Sequence, residues 1–263
     1  MMMVYNRDFS VLLNLVFRNF IYFYFLLFFD YLLFLPSKIE KMLLEVCAGS
    51  VQSALHAALG GASRIELCQN LNEGGTTPSY ATIQYCVKHL PLKTFVLIRP
   101  RAGNFCYTDV EYEIMINDIK MCKLLGVAGI VTGFLHEDGK VDKERTAAAV
   151  QSAWPLEVTF HRAFDECTQW QQALEDIIAC GCRRILTSGF KATAEEGIEN
   201  LKAVVKWADS RIIILPGSGI NSYNVVKILT ETGATEIHGS CKGQNGVSEV
   251  AEIKRICSFI DSL

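Results

Sequence analysis

Between residues 42 and 263, short runs rich in Val, Ile and Leu alternate eight times with longer amphipathic stretches, a pattern that few architectures accept. The strand candidates are Leu43–Cys47, Arg64–Cys68, Thr94–Arg99, Gly129–Thr132, Glu157–His161, Arg184–Thr187, Arg211–Leu215 and Glu236–Gly239. Helix candidates lie near 50–60, 79–89, 109–125, 142–153, 169–180, 193–208, 221–232 and 247–261. Even strand–helix units of roughly 28 residues predict an α/β fold, a single (β/α)8 TIM-type barrel. An open doubly wound sheet is the other arrangement such units allow. Gly60-Gly61, Gly126, Gly181 and Gly233 stand where helices should end, and Ser50, Asp109, Asp142 and Asn221 where they should begin. The chain is 50% hydrophobic with a net charge of −3. That is too apolar for a disordered chain, and there is no basic stripe to support nucleic-acid binding. No nucleotide-cofactor motif occurs.

Residues 1–41 are unlike the rest. They hold 12 Phe and Tyr residues but no glycine or cysteine. From Val11 to Leu35 the chain is almost wholly apolar, broken by Asn14, Arg18, Asn19 and Asp30. The length suits a membrane-spanning helix of about 20 residues, but a charge near the bilayer centre costs about 2.5–3.5 kcal/mol. No small-residue cleavage site follows, so a signal peptide fits poorly. Two readings stand. One is an over-extended translation start, with Met42 opening the barrel domain 42–263. The other is an apolar extension outside the barrel that tethers the protein to a membrane. Without residues 1–41, the net charge of the barrel is −4.

None of the ten cysteines forms a CxxC motif, which argues against a zinc ribbon or thioredoxin-like site. Without a signal peptide, reduced thiols in a cytoplasm are expected. Cys47 and Cys68 each end a strand, the first and the second, and neighbouring strand ends meet at the C-terminal mouth of a barrel. Two soft thiolates there would suit Cu(I) or another soft metal. Two half-buried packing thiols are the plainer alternative.

Alternation along the strands puts Glu45 on the face of Cys47 and Glu66 on that of Cys68. Arg99, His161 and His238 also point inward, while Val46, Ile65, Leu67, Ile98, Phe160 and Ile237 face the helices. A lone buried charge is costly. Several together imply either a polar site with acids, bases and an anion anchor or a structural salt-bridge network across the barrel. Thr187-Ser188-Gly189, Pro216-Gly217-Ser218-Gly219 and Gly239-Ser240 follow strands six to eight, where many barrels bind phosphate on backbone N–H groups.

Taken in order, several segments resemble the CutC (copper homeostasis protein) family. They are Glu45-Val46-Cys47, Arg64-Ile65-Glu66-Leu67-Cys68, Glu73-Gly74-Gly75-Thr76-Thr77-Pro78-Ser79, Ile98-Arg99-Pro100-Arg101, Val141-Asp142-Lys143-Glu144-Arg145, Thr159-Phe160-His161-Arg162-Ala163-Phe164-Asp165 and Ile185-Leu186-Thr187-Ser188-Gly189. The match runs from about 43 to 241. The resemblance implies a cytoplasmic barrel, dimeric or higher, with a Cu(I) site at Cys47 and Cys68. Asn104 departs from the family's usual Asp, and Ser218 from its usual Gly.

Two functions follow. In the first, the protein takes part in copper homeostasis and binds Cu(I) through Cys47 and Cys68. In the second, it is an enzyme for a small anionic or phosphorylated metabolite. Arg99 and Arg101, the loop residues Ser188 and Gly189, and Gly217, Ser218 and Gly219 would then hold the anion. Glu45, Glu66, His161 and Asp165 would serve as acids and bases.

Overall fold

The computed structural model describes residues 42–263; the readings of residues 1–41 and of the Val11–Leu35 stretch concern chain outside the described residues. Eight parallel strands, β1 (Leu43–Ala48), β2 (Arg64–Leu67), β3 (Lys93–Leu97), β4 (Gly129–Thr132), β5 (Glu157–Phe160), β6 (Arg184–Thr187), β7 (Ile213–Pro216) and β8 (Glu236–Gly239), alternate with helices. These are α1 (Val51–Gly60), α2 (Tyr80–His89), α3 (Asp109–Leu125), α4 (Lys143–Ala153), α5 (Trp170–Ala179), α6 (Ile198–Ala208), α7 (Val225–Thr232) and α8 (Val250–Ile260). Each strand pairs with its sequence neighbour, β1 also pairs with β8, and a parallel bridge between Gly217 and His238 joins β7 to β8. The sheet therefore curls round on itself as a TIM-type barrel, and the open doubly wound alternative is excluded. Among the described residues, no helix is long and apolar enough to cross a membrane.

Local chemistry explains where the helices begin and end. Ser50 accepts a hydrogen bond from the Ser53 N–H, and Asp142 one from the Arg145 N–H, as N-caps do. Helix α3 is capped by Thr108, one residue before the expected Asp109. The Thr108 hydroxyl and the Glu111 carboxylate satisfy each other's backbone N–H groups in a capping box. Asn221 does not cap α7, which starts only at Val225; it accepts from the Tyr223 N–H and donates to the Gly219 carbonyl. Helix α6 likewise starts at Ile198, five residues later than its periodicity implies. Gly197 approaches the Ser188 carbonyl so closely that a Cβ would sit 1.9 Å away, and the preceding residues form turns that permit this approach. Gly61, Gly126 and Gly233 end their helices with positive φ.

Strand alternation produces two apolar populations. Val46, Ile65, Leu67, Ile98, Phe160 and Ile237 belong to the large core under the helices. Cys68, Phe95, Leu97 and Val131 form a separate cluster inside the barrel. Gly129 makes room for Phe95, since a Cβ there would lie 2.2 Å from the Phe95 ring and 2.7 Å from the Glu157 carbonyl oxygen. Gly129→Ala is therefore expected to destabilise the barrel by roughly 1–3 kcal/mol through overpacking. Urea unfolding of the variant against the parent checks this.

Candidate functional site

The barrel interior is charged from its lower part to its mouth. Arg184 Nη1 lies 2.5 Å from Glu157, and its Nε 3.0 Å from Glu236. Glu236 also takes Arg64 Nη2 at 2.5 Å. Arg64 Nε donates to Glu45, whose other oxygen meets His238 Nδ1 at 2.7 Å. His238 Nε2 is 3.5 Å from Glu66. Both guanidiniums rest over the Phe95 ring, 5.1 and 5.3 Å from its centre. Acids and bases thus alternate along a series that is buried apart from the exposed Glu157, and each neighbour offsets the desolvation of the next. The salt-bridge network considered from the sequence is present and includes Glu45. Arg64, Arg184 and Glu157 were missed as members of it. Their signal was the same period-two alternation, since Arg64 shares its face with Glu66 and Cys68.

These neighbours set the protonation states. Burial on its own would raise the Glu45 carboxyl, but Arg64 and His238 overcome it and hold Glu45 down at about 2. Burial opposes charge on His238, yet Cys47, Glu45 and Glu66 around it push its pKa well up. Burial and the nearby Glu45 charge raise Glu66, with His238 opposing. The Cys47 thiol is raised by its contact with Cys68, by burial and by the Glu66 charge.

Strands β1 and β2 bring Cys47 and Cys68 together at the mouth, with their sulfurs 3.8 Å apart. Cys68 lies one residue beyond β2, where its N–H continues the ladder to the Ala48 carbonyl. Cys47, Glu66 and His238 offer ligand atoms within 4.8 Å of one another. The thiols open onto a cavity of about 340 Å³. Its other walls include Leu97, Phe105, His161, Arg162, Asp165 and Leu186.

The remaining candidates divide. Arg99 lines the cavity, but its Nη1 donates to the Glu73 and Gly75 carbonyls and its Nη2 to Gly103. It is thereby a clamp on two loops. Arg101 does not reach the cavity. It pairs with Glu111 at 2.6 Å, binds the Asn104 and Cys106 carbonyls and stacks on Tyr107. Asp165 accepts from the Thr187 hydroxyl, the Ser188 and Phe190 N–H groups and Arg162. The Gly189 N–H goes to the Thr187 hydroxyl and that of Gly217 to the Thr187 carbonyl. A carboxylate of the protein itself thus occupies the loop expected to hold an anion. Ser218 sits at φ 84°, a conformation easier for glycine, with its hydroxyl donating to the Ala192 carbonyl; Gly219 follows at φ 75°.

His161 is 5% exposed. Its Nδ1 accepts from the Ala163 N–H, so Nε2 carries the proton, and Nε2 finds no partner among the described residues. Burial and the Arg99 charge depress this ring to about 3. Arg162 was not picked out from the sequence. It is nearly half exposed at the mouth, held by Asp165 at 2.8 Å and by the Ser188 hydroxyl at 2.9 Å. The structure therefore groups Glu45, Cys47, Glu66, Cys68 and His238 on one side of the mouth and His161, Arg162 and Asp165 around the rest of the cavity.

Fold and mouth define a TIM-type barrel with paired thiols and a buried acid–base series at the end where such barrels bind ligands. The family model for CutC matches residues 42–243. The chain belongs to the CutC family. A human protein named copper homeostasis protein cutC homolog is 46% identical over 200 residues, 76% of this chain and 73% of its own. A family protein CutC of Chromobacterium violaceum is 44% identical over 202 residues, covering 77% and 82% of the two chains. The crystal structure of CutC from Streptococcus agalactiae superposes with a TM-score of 0.72 at 34% identity, covering 76% of this chain and 98% of that one.

Two outcomes test the site. Glu45→Gln leaves Arg64 and His238 buried without their shared carboxylate. Its expected cost is about 3–5 kcal/mol in urea unfolding at neutral pH. For His161 the sign follows from its depressed pKa. Below pH 6.5 the unfolded ring takes a proton that the folded ring refuses until about pH 3, so stability falls with pH across that window. The advantage of the parent over His161→Gln should shrink steadily as pH falls from 6.5 towards 3. A difference that stays constant over that range would refute the neutral, buried imidazole.

Proposed function

We propose that this protein serves copper homeostasis by binding Cu(I) as cargo between Cys47 and Cys68. The observation that carries this reading is the pair of thiol sulfurs 3.8 Å apart at the rim of the cavity. Thiolates are the soft donors that Cu(I) selects over harder divalent ions. The family resemblance points the same way, as two relatives carry copper homeostasis in their names. All ten cysteines are free thiols, as Cu(I) handling in a reducing cytoplasm requires. The residues fit the ion in charge as well. Two thiolates and one Cu(I) leave one negative charge beside the His238 ring, whose pKa its acidic neighbours raise. Contact with Cys68, burial and the Glu66 charge raise the Cys47 thiol, so metal binding must displace its proton, and the metal's own charge supplies the driving force.

The geometry gives less support to an enzyme of phosphorylated metabolites. The N–H groups of Ser188, Gly189 and Gly217 already donate within the protein, and Arg101 lies away from the cavity.

Anaerobic Cu(I) titration against a chromogenic chelator tests the proposal. Cys47→Ser and Cys68→Ser should each weaken binding by at least about a hundredfold, since each removes one of two metal–sulfur bonds. Unchanged affinity in both variants removes the thiol site.

A further inference from the structure

The thiol pair is set for more than two ligands. With metal–thiolate bonds of about 2.3 Å, sulfurs 3.8 Å apart subtend an angle of roughly 110° at the metal, whereas a linear pair would stand about 4.6 Å apart. Cys47 lies on β1 and Cys68 directly follows β2, with its N–H on the Ala48 carbonyl, so their Cβ atoms cannot easily separate. An angle near 110° leaves a third coordination position open towards the cavity.

The chain's own side chains fill that position poorly. His238 keeps Nδ1 on Glu45 at 2.7 Å and turns Nε2 to Glu66 at 3.5 Å beside the Cys47 thiol, so it reaches a metal there only by giving up the Glu66 contact. Glu66 offers a hard oxygen, which soft Cu(I) disfavours. Among the described residues lining the cavity, only Cys47 and Cys68 carry sulfur. The cavity of about 340 Å³ is far larger than a metal ion needs and falls within the range of small-molecule sites. Arg162 lines the same space. Asp165 holds its Nε and Ser188 its Nη2, while its Nη1 has no partner among the described residues. A guanidinium fixed in this way is prepared to receive a carboxylate.

We propose that a soluble, low-molecular-weight thiol bearing a carboxylate completes the site, with its sulfur on Cu(I) beside Cys47 and Cys68 and its carboxylate on Arg162. This rests on the copper reading above. The incoming thiol releases its proton to solvent as its sulfur lone pair forms the metal–sulfur bond. Copper stays Cu(I), and no electron is transferred. The protein then exchanges copper with the soluble thiol pool through a three-sulfur complex.

The test uses the full chain, freed of small thiols and loaded with one equivalent of Cu(I) under anaerobic conditions. X-ray absorption at the copper edge counts the sulfurs with reduced glutathione or with mercaptoethanol, which lacks a carboxylate. Three sulfurs on protein-bound copper are expected with glutathione, at a concentration at least about tenfold lower than mercaptoethanol requires, the effect of one charge-assisted contact. Arg162→Ala should abolish that preference, so that the two thiols bind alike. Two sulfurs at saturating glutathione, copper leaving with glutathione on gel filtration, or equal binding of both thiols by the parent would each overturn the proposal. Copper retained by a Cys47→Ser, Cys68→Ser double variant would instead overturn the copper reading itself.

Discussion

Arg64 reaches Glu45 with its Nε and Glu236 with its Nη2, and both carboxylates are buried inside the barrel. Most of what is distinctive about the interior follows from this one guanidinium. Glu236 extends the series to Arg184 and Glu157, and Glu45 extends it to His238 and Glu66. A barrel lined by Leu and Val would be packed without this arrangement. Charges in that space must be placed so that each has a partner, since an unpaired one would cost several kcal/mol. The series therefore constrains the rotamers of Glu45 and His238, and through them the surroundings of the two thiols.

The mouth combines a half built on strands and a half built on loops. On the β1, β2 and β8 side, Cys47, Cys68, Glu66 and His238 are held by strands and by ionic partners. On the other side, groups that first look functional tie the loop after β2 to the loop after β3 and the loop after β5 to the loop after β6. Arg99 clamps carbonyls at 73, 75 and 103, and Asp165 gathers the N–H groups at 188 and 190. Positioning of this kind keeps the cavity open between the wall that carries the two thiols and the wall that carries Arg162. It also explains why conspicuous charged residues near a barrel mouth need not touch a ligand.

The succession of strands and helices was legible because each depends on a local period, and the inward set Glu45, Glu66, His161 and His238 was legible because strand alternation is strict. The misreadings were local as well. Residue type alone places caps at Asp109 and Asn221, whereas the Thr108–Glu111 capping box and the Gly219 carbonyl decide otherwise. Arg101 was grouped with Arg99 by proximity in sequence. After β3 ends at Leu97, the chain leaves the strand, and Arg101 turns to Glu111 on α3. Arg162 drew no notice because it sits in a short turn, where no periodicity indicates which way a side chain points.

The sequence by itself determined the barrel, the helix-facing apolar set, the membership of a family, and the placing of Cys47 and Cys68 at neighbouring strand ends. Those are consequences of period, spacing and motif, which a linear chain records. Only the tertiary structure decided that Arg64 would neutralise Glu45 and Glu236, that the Ser188 and Gly189 N–H groups would be used within the protein, and that the two sulfurs would stand 3.8 Å apart over a cavity bordered by Arg162. The physical reason is that pairing of charges and donors depends on distances across the barrel, between residues up to 193 positions apart in the chain, and no local pattern encodes those distances.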